Sequence, residues 1–484
     1  MTHRRESLIL FSSLPDILPH SMKHPMRITF AILSIFVIVA PTIGQPPIGW
    51  RIDGTGRFPL ADPPKVWGLD KNVVWKTPLS NFSVASPIIV GEKIFVCSEP
   101  NALICINKAD GKILWQKDCS YADVPWTEAE KTRLAAERAQ DSIWAKEQQT
   151  REQKASALNK EILLDKAKAK ELRPLIDALR TQADEFKQKR KSLAHLMRAT
   201  NPARDGTAGY SQCTPVSNGK QVFVMYGNCL VACYDLDGTR RWLKQLEHSN
   251  AEYGHGSSPA LIGDKLIVHY ADLVALNIHD GSESWRVKTG VRALHGTCIG
   301  TKIGGVDVVL SPHGLMLRAA DGKVLADKLG QNGDNAPILH DGVAYFVNGL
   351  TKAVRLPSVI DGMPESLWKC SLKGGDYWFA SPIYHDGLLY AVNGNCGFSV
   401  VDAKTGKLVY WDKLDFGGRA YPSICLAGKY VYVSSDNGTT IVLEPGRAYK
   451  EIARNTLETF RSTPVFEGRR MYVRTLKHLW CIGE

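Results

Sequence analysis

The sequence lacks most of the motifs that mark a catalytic or nucleic-acid-binding site. It contains no C-x-x-C-H haem attachment site, no zinc-ligand spacing, no glycine-rich phosphate loop and no G-x-S-x-G nucleophile turn. We therefore expect no metal site. The net charge of +11 is spread unevenly, since residues 127–198 hold 17 Lys and Arg against 12 Asp and Glu. The rest of the chain has no basic footprint, so we expect no nucleic-acid partner.

Long apolar runs are also scarce. Residues 28–40 (ITFAILSIFVIVA) form a run of 13 residues, which is too short for a transmembrane helix of about 20 residues but suits a signal peptide. Arg27 precedes this run, and the small residues Thr42 and Gly44 follow it. The pattern predicts a signal peptide over residues 1–44 that is cleaved near Gly44. It also predicts a periplasmic or secreted protein with no transmembrane span in the mature chain; an uncleaved anchor is the alternative.

Cysteine is present, but without a disulfide pattern. The number of cysteines is odd, 11, and most of them lie inside apolar runs such as residues 222–235. Exported proteins often pair their cysteines, yet buried free thiols are the simpler interpretation for most of these. One or two disulfides stay open, because pairing cannot be read from sequence. No Cys directly follows the apolar run 28–40, so we do not expect a lipid anchor.

Glycine and tryptophan recur in a regular order that defines a repeat. Each unit begins with a small residue, usually followed by Pro, and continues through a β-rich pair of segments around a Gly turn. A short strand, an Asp-Gly turn and a strand that carries Trp complete it. The units begin at residues 86, 214, 258, 296, 336, 381, 421 and 463. From the second unit onward they are 38 to 45 residues apart, the period of a four-stranded blade. The sequence therefore predicts an all-β, eight-bladed β-propeller.

The tryptophans of the repeat are placed where they can join neighbouring blades. A large ring on an outer strand can pack against the next blade. We therefore interpret one set of residues as contacts between blades rather than cofactor contacts: Trp75, Trp115, Trp242, Trp285 and Trp368.

The last unit has only three strands, whereas residues 72–77 form an isolated strand pattern ahead of the first unit. Pairing the two would remove exposed edges, so we predict that the N-terminal strand closes the last blade.

Residues 127–199 interrupt the repeat between blades one and two. They contain no Gly and only one Pro, and they are rich in Ala, Glu, Lys, Arg, Gln and Leu, which favour helix. Some apolar residues recur at helical spacing: Leu172, Leu175, Ile176 and Leu179. We predict an inserted α-helical arm beside the mouth of the central funnel, packed either on itself or on a partner. The predicted layout is a signal peptide (1–44), a lead-in (45–71), the closing strand with blade one (72–126), the helical insertion (127–199), and blades two to eight (200–484).

The units resemble the pyrroloquinoline-quinone-type propeller repeat, whose signature approximates A-x-D-x-x-T-G-x-x-x-W. Residues 401–406 (VDAKTG) nearly match it, whereas blades four, five and seven depart from it. The resemblance covers residues 72–484 apart from the insertion, and residues 49–59 (GWRIDGTGRFP) are similar to exported bacterial quinoprotein-like propellers. Two groups share this form: quinoprotein alcohol dehydrogenases, and BamB, the propeller subunit of the bacterial outer-membrane barrel-assembly machinery.

Residues just before each innermost strand should line the mouth of the funnel, where ligands commonly bind. Our candidates for a ligand-binding funnel are His255, His295, Asn335, Trp378 and Arg419. Other rim residues stand at similar positions: Tyr210, Tyr253, Tyr377, Tyr421 and Arg461. Asp334 is the candidate for a catalytic base. A hydrated entrance lined by ordinary turn residues is the alternative interpretation.

The resemblance implies two possible functions. A quinoprotein dehydrogenase needs Ca²⁺, which carboxylate and amide oxygens hold, and a carboxylate base. Most such enzymes add an adjacent Cys pair over the cofactor, whereas the closest cysteines here are Cys229 and Cys233. We therefore expect a non-catalytic, BamB-like scaffold of the cell envelope without a cofactor. It would bind an envelope protein partner or a small ligand at the funnel face. The alternative is a pyrroloquinoline-quinone-dependent alcohol dehydrogenase, with that quinone and Ca²⁺ as cofactors.

Overall fold

The computed structural model describes residues 47–193, 209, 212–246, 254–289, 295–331, 333–375 and 377–484. In these residues eight antiparallel sheets of four strands follow one another along the chain, and one of them gains a fifth, parallel strand. The prediction of an eight-bladed propeller is confirmed. The predicted signal peptide, residues 1–44, lies outside the described residues.

The strands are short, and successive strands of a blade are neighbours in its sheet. Blades one to four contain β3–β6 (Ile88–Val90, Lys93–Ser98, Ala102–Asn107, Ile113–Asp118), β7–β10 (Val216–Ser217, Gln221–Met225, Leu230–Asp235, Arg240–Gln245), β11–β14 (Ala260–Ile262, Lys265–His269, Asp272–Asn277, Glu283–Lys288) and β15–β18 (Ile299–Ile303, Val306–Leu310, Met316–Arg318, Val324–Ala326). Blades five to seven contain β19–β22 (Ile338–His340, Val343–Phe346, Leu350–Arg355, Glu365–Ser371), β23–β26 (Ile383–His385, Leu388–Val392, Gly397–Asp402, Leu408–Lys413) and β27–β30 (Cys425–Ala427, Tyr430–Ser434, Thr439–Leu443, Glu451–Thr456), the last joined by β1 (Arg57–Phe58). Blade eight contains β31–β33 (Val465–Glu467, Arg470–Arg474, His478–Gly483) and β2 (Val73–Pro78).

A ring of hydrogen bonds joins the residues that precede the innermost strands. At seven of the eight blade boundaries, a backbone N–H donates to the Ser or Thr hydroxyl at the same position of the next blade. The bonds run from Thr463 to Ser86, Ser86 to Thr214, Thr214 to Ser258, Ser258 to Thr297, Ala336 to Ser381, Ser381 to Ser423, and Ser423 to Thr463, at 2.8–3.3 Å. The small residue that opens each unit therefore links neighbouring blades. The ring also corrects the starts of blades four and seven, which are Thr297 and Ser423 rather than residues 296 and 421, because the hydroxyl rather than the proline defines the position.

The hydroxyl ring is interrupted where blade five presents Ala336, which has no side-chain oxygen for the blade-four residue Thr297. We expect Ala336→Ser to raise the free energy of unfolding by about 1 kcal/mol, because it adds one buried hydrogen bond. The matched change Ser381→Ala should lower the free energy of unfolding by about 1–3 kcal/mol, since it leaves the Ala336 N–H without its acceptor. Denaturant unfolding of both variants measures this. Equal effects of the same sign would contradict a stabilising ring.

The outer-strand tryptophans lie at boundaries between blades. Each indole N–H donates to a carbonyl in a turn of the following blade at 2.8–3.3 Å: Trp75 to Lys108, Trp115 to Leu236, Trp242 to Ile278, Trp285 to Ala319, and Trp368 to Ala403. The turn glycine of the following blade lies against the ring, so that a Cβ on Gly281 would be 2.7 Å from Trp242. Gly281 also has a φ of 70°, which favours glycine. The Gly turn and the Trp therefore recur together because each packs against the other.

The N-terminal strand completes the ring of blades, as predicted. Strand β2 pairs antiparallel with β33, the last strand of the chain. Beside this pairing, Glu458 accepts hydrogen bonds from Lys76 on β2 (2.7 Å) and from His478 on β33 (2.8 Å). Burial alone would raise the pKa of Glu458, but hydrogen bonds from Lys76, Thr475 and His478 outweigh it and hold the pKa at about 2. Backbone pairing and a charged carboxylate thus hold the closing strand together.

The insertion is a helical hairpin that packs on itself. Thr127 caps α1 (Glu128–Leu164) through a capping box with Glu130, and α2 (Ala169–Lys191) returns alongside it. A short 3-10 turn (Lys166–Lys168) joins them. Ala155 on α1 packs with buried residues of α2, and Arg190 bonds Asp141 at 2.6 Å. The prediction of a helical arm is confirmed. Of the two predicted alternatives, the structure shows the one in which the arm packs on itself, because α1 and α2 contact each other.

The base of the hairpin lies on the funnel face. Tyr121, just ahead of α1, donates its hydroxyl to the carbonyl of Asn228, in the turn between β8 and β9 (2.9 Å). The turn between the second and third strands of a blade lies at the same end as the start of the innermost strand, because successive strands alternate in direction. No helix among the described residues is long and apolar enough to span a membrane.

All 11 cysteines are free thiols in the structure, and only Cys370 is partly exposed. Burial raises the pKa of both Cys97 and Cys105 to about 12, which leaves these thiols protonated and unreactive at neutral pH. The cysteines therefore act as small apolar residues of the blades.

Candidate binding cup on the funnel face

A cavity of about 790 Å³ opens on the face where the innermost strands begin, and we call it the cup. Ring hydroxyl residues line it on several sides: Ser86, Thr214, Ser258, Ser381, Ser423 and Thr463. Residues just before the ring positions form most of the rest of the wall, and Trp50 and Asp436 contribute from the N-terminal segment and from a turn of blade seven. The repeat itself thus positions the cup, since each blade presents the same connection to it.

The N-terminal segment 48–58 crosses the central channel beneath the cup, and we call it the plug. Ile48 pairs with Ser217 at the end of the innermost strand of blade two. Phe58 pairs with Ala427 at the end of the innermost strand of blade seven. Both ends of the plug therefore lie at the far end of the channel, and the cup has a floor made by the chain's own N-terminal segment.

Arg51 fixes the plug in place. Its side chain is 1% exposed, and its guanidinium donates to the carbonyl oxygens of Pro382 (2.9 Å) and Ile424 (2.7 Å) in blades six and seven. Burial lowers the pKa of Arg51 to about 10. Arg51 and Ile52 both adopt a left-handed conformation, with φ of 54° and 67°. Two consecutive non-glycine residues in this region are strained, and the hydrogen bonds of Arg51 offset that strain.

One wall of the cup combines aromatic rings with arginines. Phe379 stacks on Tyr421 with ring centroids 4.7 Å apart, and the guanidinium of Arg461 lies 4.2 Å from the centroid of Tyr421. Tyr377 extends the row, 5.9 Å from Phe379. Blades six, seven and eight thus supply a continuous surface of rings and cationic groups, which suits flat or apolar groups that also carry negative charge.

Asp436 forms hydrogen bonds with two arginines of this wall. Its carboxylate accepts from the backbone N–H of Arg419 (2.9 Å) and from the guanidinium of Arg461 (3.2 Å). The exposed side chain of Arg419 reaches toward Tyr377, with its guanidinium 6.0 Å from that ring. Two arginines against one carboxylate leave the wall positive.

Another part of the cup, ahead of the innermost strands of blades four and five, carries a histidine and a carboxylate. Burial lowers the pKa of His295, and the charge of neighbouring Asp334 works against that shift. Burial raises the pKa of Asp334, and His295 opposes the change. The environment therefore disfavours the charged form of each group, as in sites where a proton is shared.

The structure brings together some of the sequence-predicted residues and separates others. His295, Asp334, Tyr377, Arg419, Tyr421 and Arg461 line the cup. Three candidates do not line it: His255, Asn335 and Trp378. His255 packs edge-on against Tyr270, with ring centroids 4.6 Å apart, and Asn335 donates to the carbonyls of Val347 and Trp378. They face into the blades because the chain turns between neighbouring residues, and sequence position alone does not show which way a side chain points. Tyr210 and Tyr253 lie outside the described residues.

Sequence reasoning missed several residues of the cup, among them Trp50, Phe379 and Asp436. Phe379 had a signal, since it stands two residues before the ring residue Ser381 in an aromatic run, residues 377–379. Asp436 had no such signal in the sequence, because it comes from a turn between the second and third strands of blade seven. Trp50 enters the cup only because the plug crosses the channel.

We tested whether the described residues of the cup fit a Ca²⁺–quinone pair. Among the residues that the structure describes, no three His, Cys, Asp or Glu side chains come together in a way that could hold a metal ion. The carboxylate of Asp436 is engaged by Arg419 and Arg461. The described carboxylates of the cup therefore supply only part of the several oxygen ligands that Ca²⁺ takes.

The sequence profile of the family described as outer membrane protein assembly factor BamB matches residues 57–159 and 198–353. The chain belongs to this family. No curated protein matches the chain significantly.

Solved structures agree with BamB-family membership at the level of fold. BamB from Moraxella catarrhalis is 12% identical, with a TM-score of 0.55, over 85% of this chain and 99% of that chain. A europium-containing methanol dehydrogenase is 11% identical, with a TM-score of 0.53, over 88% and 89% of the two chains. The quinohemoprotein alcohol dehydrogenase ADHIIG from Pseudomonas putida HK5 is 11% identical, with a TM-score of 0.51, over 89% and 80%. The fold is therefore shared by BamB and by dehydrogenases, and it does not choose between the two functions.

Proposed function

We propose that the chain is a non-catalytic scaffold of the bacterial cell envelope that binds a segment of a partner protein in the cup. The family description, outer membrane protein assembly factor, supports an envelope role. The observation that carries the proposal is the wall of Tyr377, Phe379, Tyr421, Arg419 and Arg461 above a closed floor. Aromatic and Arg side chains provide most of the binding energy at protein interfaces.

The closed floor favours a particular mode of binding. A channel open at both ends would let water and small solutes pass, whereas the plug makes the cup a blind pocket. A pocket of about 790 Å³ holds a few side chains of a loop or a chain end, and not a whole domain. The positive wall favours a segment that combines apolar or aromatic groups with negative charge.

The cup can be tested by crosslinking in the source bacterium. With a photo-reactive phenylalanine at Tyr377, which is 53% exposed on the cup wall, we expect a crosslink to a subunit of the outer-membrane assembly machinery. Arg419→Glu should reduce that product about tenfold or more, because it reverses charge at the wall. The yield is measured by immunoblot, and the partner is identified by mass spectrometry.

Two controls separate the cup from the rest of the surface. The same photo-reactive residue at Met363, which is 81% exposed in the turn between β21 and β22, should give no crosslink to that subunit. Arg469→Glu, at an exposed arginine of blade eight, should leave the Tyr377 crosslink unchanged. Equal crosslinking from Met363, or no dependence on Arg419, would rule out the cup as the binding site.

A pyrroloquinoline-quinone-dependent alcohol dehydrogenase is the second candidate, and one observation favours it. Burial raises the pKa of Asp334 inside the cup, as a general base requires. Under our proposal the purified protein shows no alcohol oxidation when the quinone and Ca²⁺ are added. A turnover that falls by about 10²–10⁴-fold in Asp334→Asn would establish the enzyme instead.

A further inference from the structure

We propose that the tip of the helical hairpin docks on an anionic lipid surface. The tip, residues 160–170, contains the end of α1, the 3-10 turn and the start of α2. Leu163 and Leu164 are 80% and 90% exposed there, side by side at the end of α1. Together they form a contiguous exposed apolar surface at the end of a long arm.

The hairpin does not need these leucines for its own packing. Ala155, Leu172 and Ile176 are buried between the helices, and Ile162 packs against them. Leu163 and Leu164 follow Ile162 in the chain and point away from this contact, as their exposure shows. Their apolar surface is therefore left over for an external partner.

The charges around the tip select the partner. Residues 160–170 include four lysines, all exposed, against Glu161 and Asp165. Glu161 lies 3.8 Å from Lys168, and Asp165 accepts from the backbone N–H of Ala167. The tip therefore offers a net positive charge around two leucines, which is the combination that binds anionic headgroups while apolar side chains enter the acyl boundary.

The size of the tip also favours lipid over protein. A stable protein interface buries roughly 800 Å² on each partner, which two leucines and a tight turn do not supply. Docking on a bilayer needs only a few inserted side chains and nearby cations, each worth about 1 kcal/mol near an anionic surface. Reversible membrane attachment matches this small surface.

The length of the hairpin gives this contact a role beside the cup. Helix α1 has 37 residues, which corresponds to about 55 Å. Its base is fastened to the funnel face through Tyr121 and Asn228. Lipid docking at the tip would thus tether the funnel face to the bilayer through an arm of this length. This inference rests on the tip alone and stands or falls separately from the proposed partner of the cup.

The test uses the complete chain with an environment-sensitive fluorophore on Ala167→Cys at the tip. The label reports the tip itself, whatever other segment of the chain meets the vesicles. With vesicles containing phosphatidylglycerol we expect a blue shift that vesicles of phosphatidylcholine alone, or high salt, reduce. The same label on Ala139→Cys, an exposed position nearer the base of α1, should not respond.

The variants decide between lipid docking and a nonspecific response. Adding Leu163→Ser and Leu164→Ser should weaken vesicle affinity about tenfold or more. Ile143→Ser, which removes another exposed apolar residue of α1 far from the tip, should leave the affinity unchanged. Absence of the blue shift, an equal shift at Ala139→Cys, or an equal loss in Ile143→Ser would each overturn the proposal.

Discussion

Removal of residues 45–78 is expected to abolish cooperative unfolding of the propeller or to lower its free energy of unfolding by at least about 4 kcal/mol. The deletion takes away β2, which pairs with β33 and supplies Trp75 and Lys76 to the boundary with blade one and to Glu458. It would expose the edges of blades one and eight, and such edges promote aggregation. Circular dichroism during thermal unfolding, together with light scattering, measures both effects.

This deletion also removes the plug, so a second pair of variants separates the two contributions. Trp75→Ala affects only the closing strand and should cost about 3–5 kcal/mol of the free energy of unfolding, as for other large aromatic truncations. Trp50→Ala, in the plug, leaves the closing strand and the Trp75 hydrogen bond in place, so it reports the contribution of the plug separately. An unchanged melting temperature in the full deletion would show that β2 does not hold the ring closed.

The second large effect concerns the plug and the single glycine that makes room for Arg51. A Cβ on Gly56 would lie 2.0 Å from Nη2 of Arg51, and Gly56 has a φ of 72°. We expect Gly56→Ala to displace the guanidinium from the carbonyls of Pro382 and Ile424. The free energy of unfolding should fall by about 3 kcal/mol or more, since two buried carbonyls lose their donor and the backbone is strained.

Gly342→Ala is the matched control for this change. Gly342 has nearly the same φ, 71°, but a Cβ there would meet nothing within 4 Å. It should therefore report the backbone strain alone, about 1 kcal/mol. Chemical denaturation of both variants gives the difference. If Gly56→Ala is no worse than Gly342→Ala, then Arg51 does not hold the plug.

The number of blades and their closure could be predicted because the signals are local. In blades one to three the turn glycine and the outer Trp are separated by a fixed spacing, and the turn recurs, with departures in blades four, five and seven, at the blade period. The missing strand of the last unit and the extra strand around Trp75 are visible from composition alone. The helical insertion was equally plain, since its residues favour helix whatever surrounds them.

The composition of the cup could be predicted only in part. We expected residues just before each innermost strand to line the funnel. This rule identified His295, Asp334 and Arg419, which line the cavity. The same rule also selected Asn335 and Trp378, which turn into the blades to satisfy backbone and indole hydrogen bonds. Neighbouring residues in a turn point in different directions, and only the packed backbone decides which of them faces the cavity.

By itself the sequence determined a closed ring of eight blades with a helical arm, since every signal for these lies within one unit or its neighbours. The floor of the cup was decided by tertiary structure. Arg51 reaches acceptors 331 and 373 residues away in the chain, and no repeat pattern connects such positions. They meet because ring closure brings the innermost strands of all blades around one channel. The N-terminal segment fills this channel on its way to blade eight.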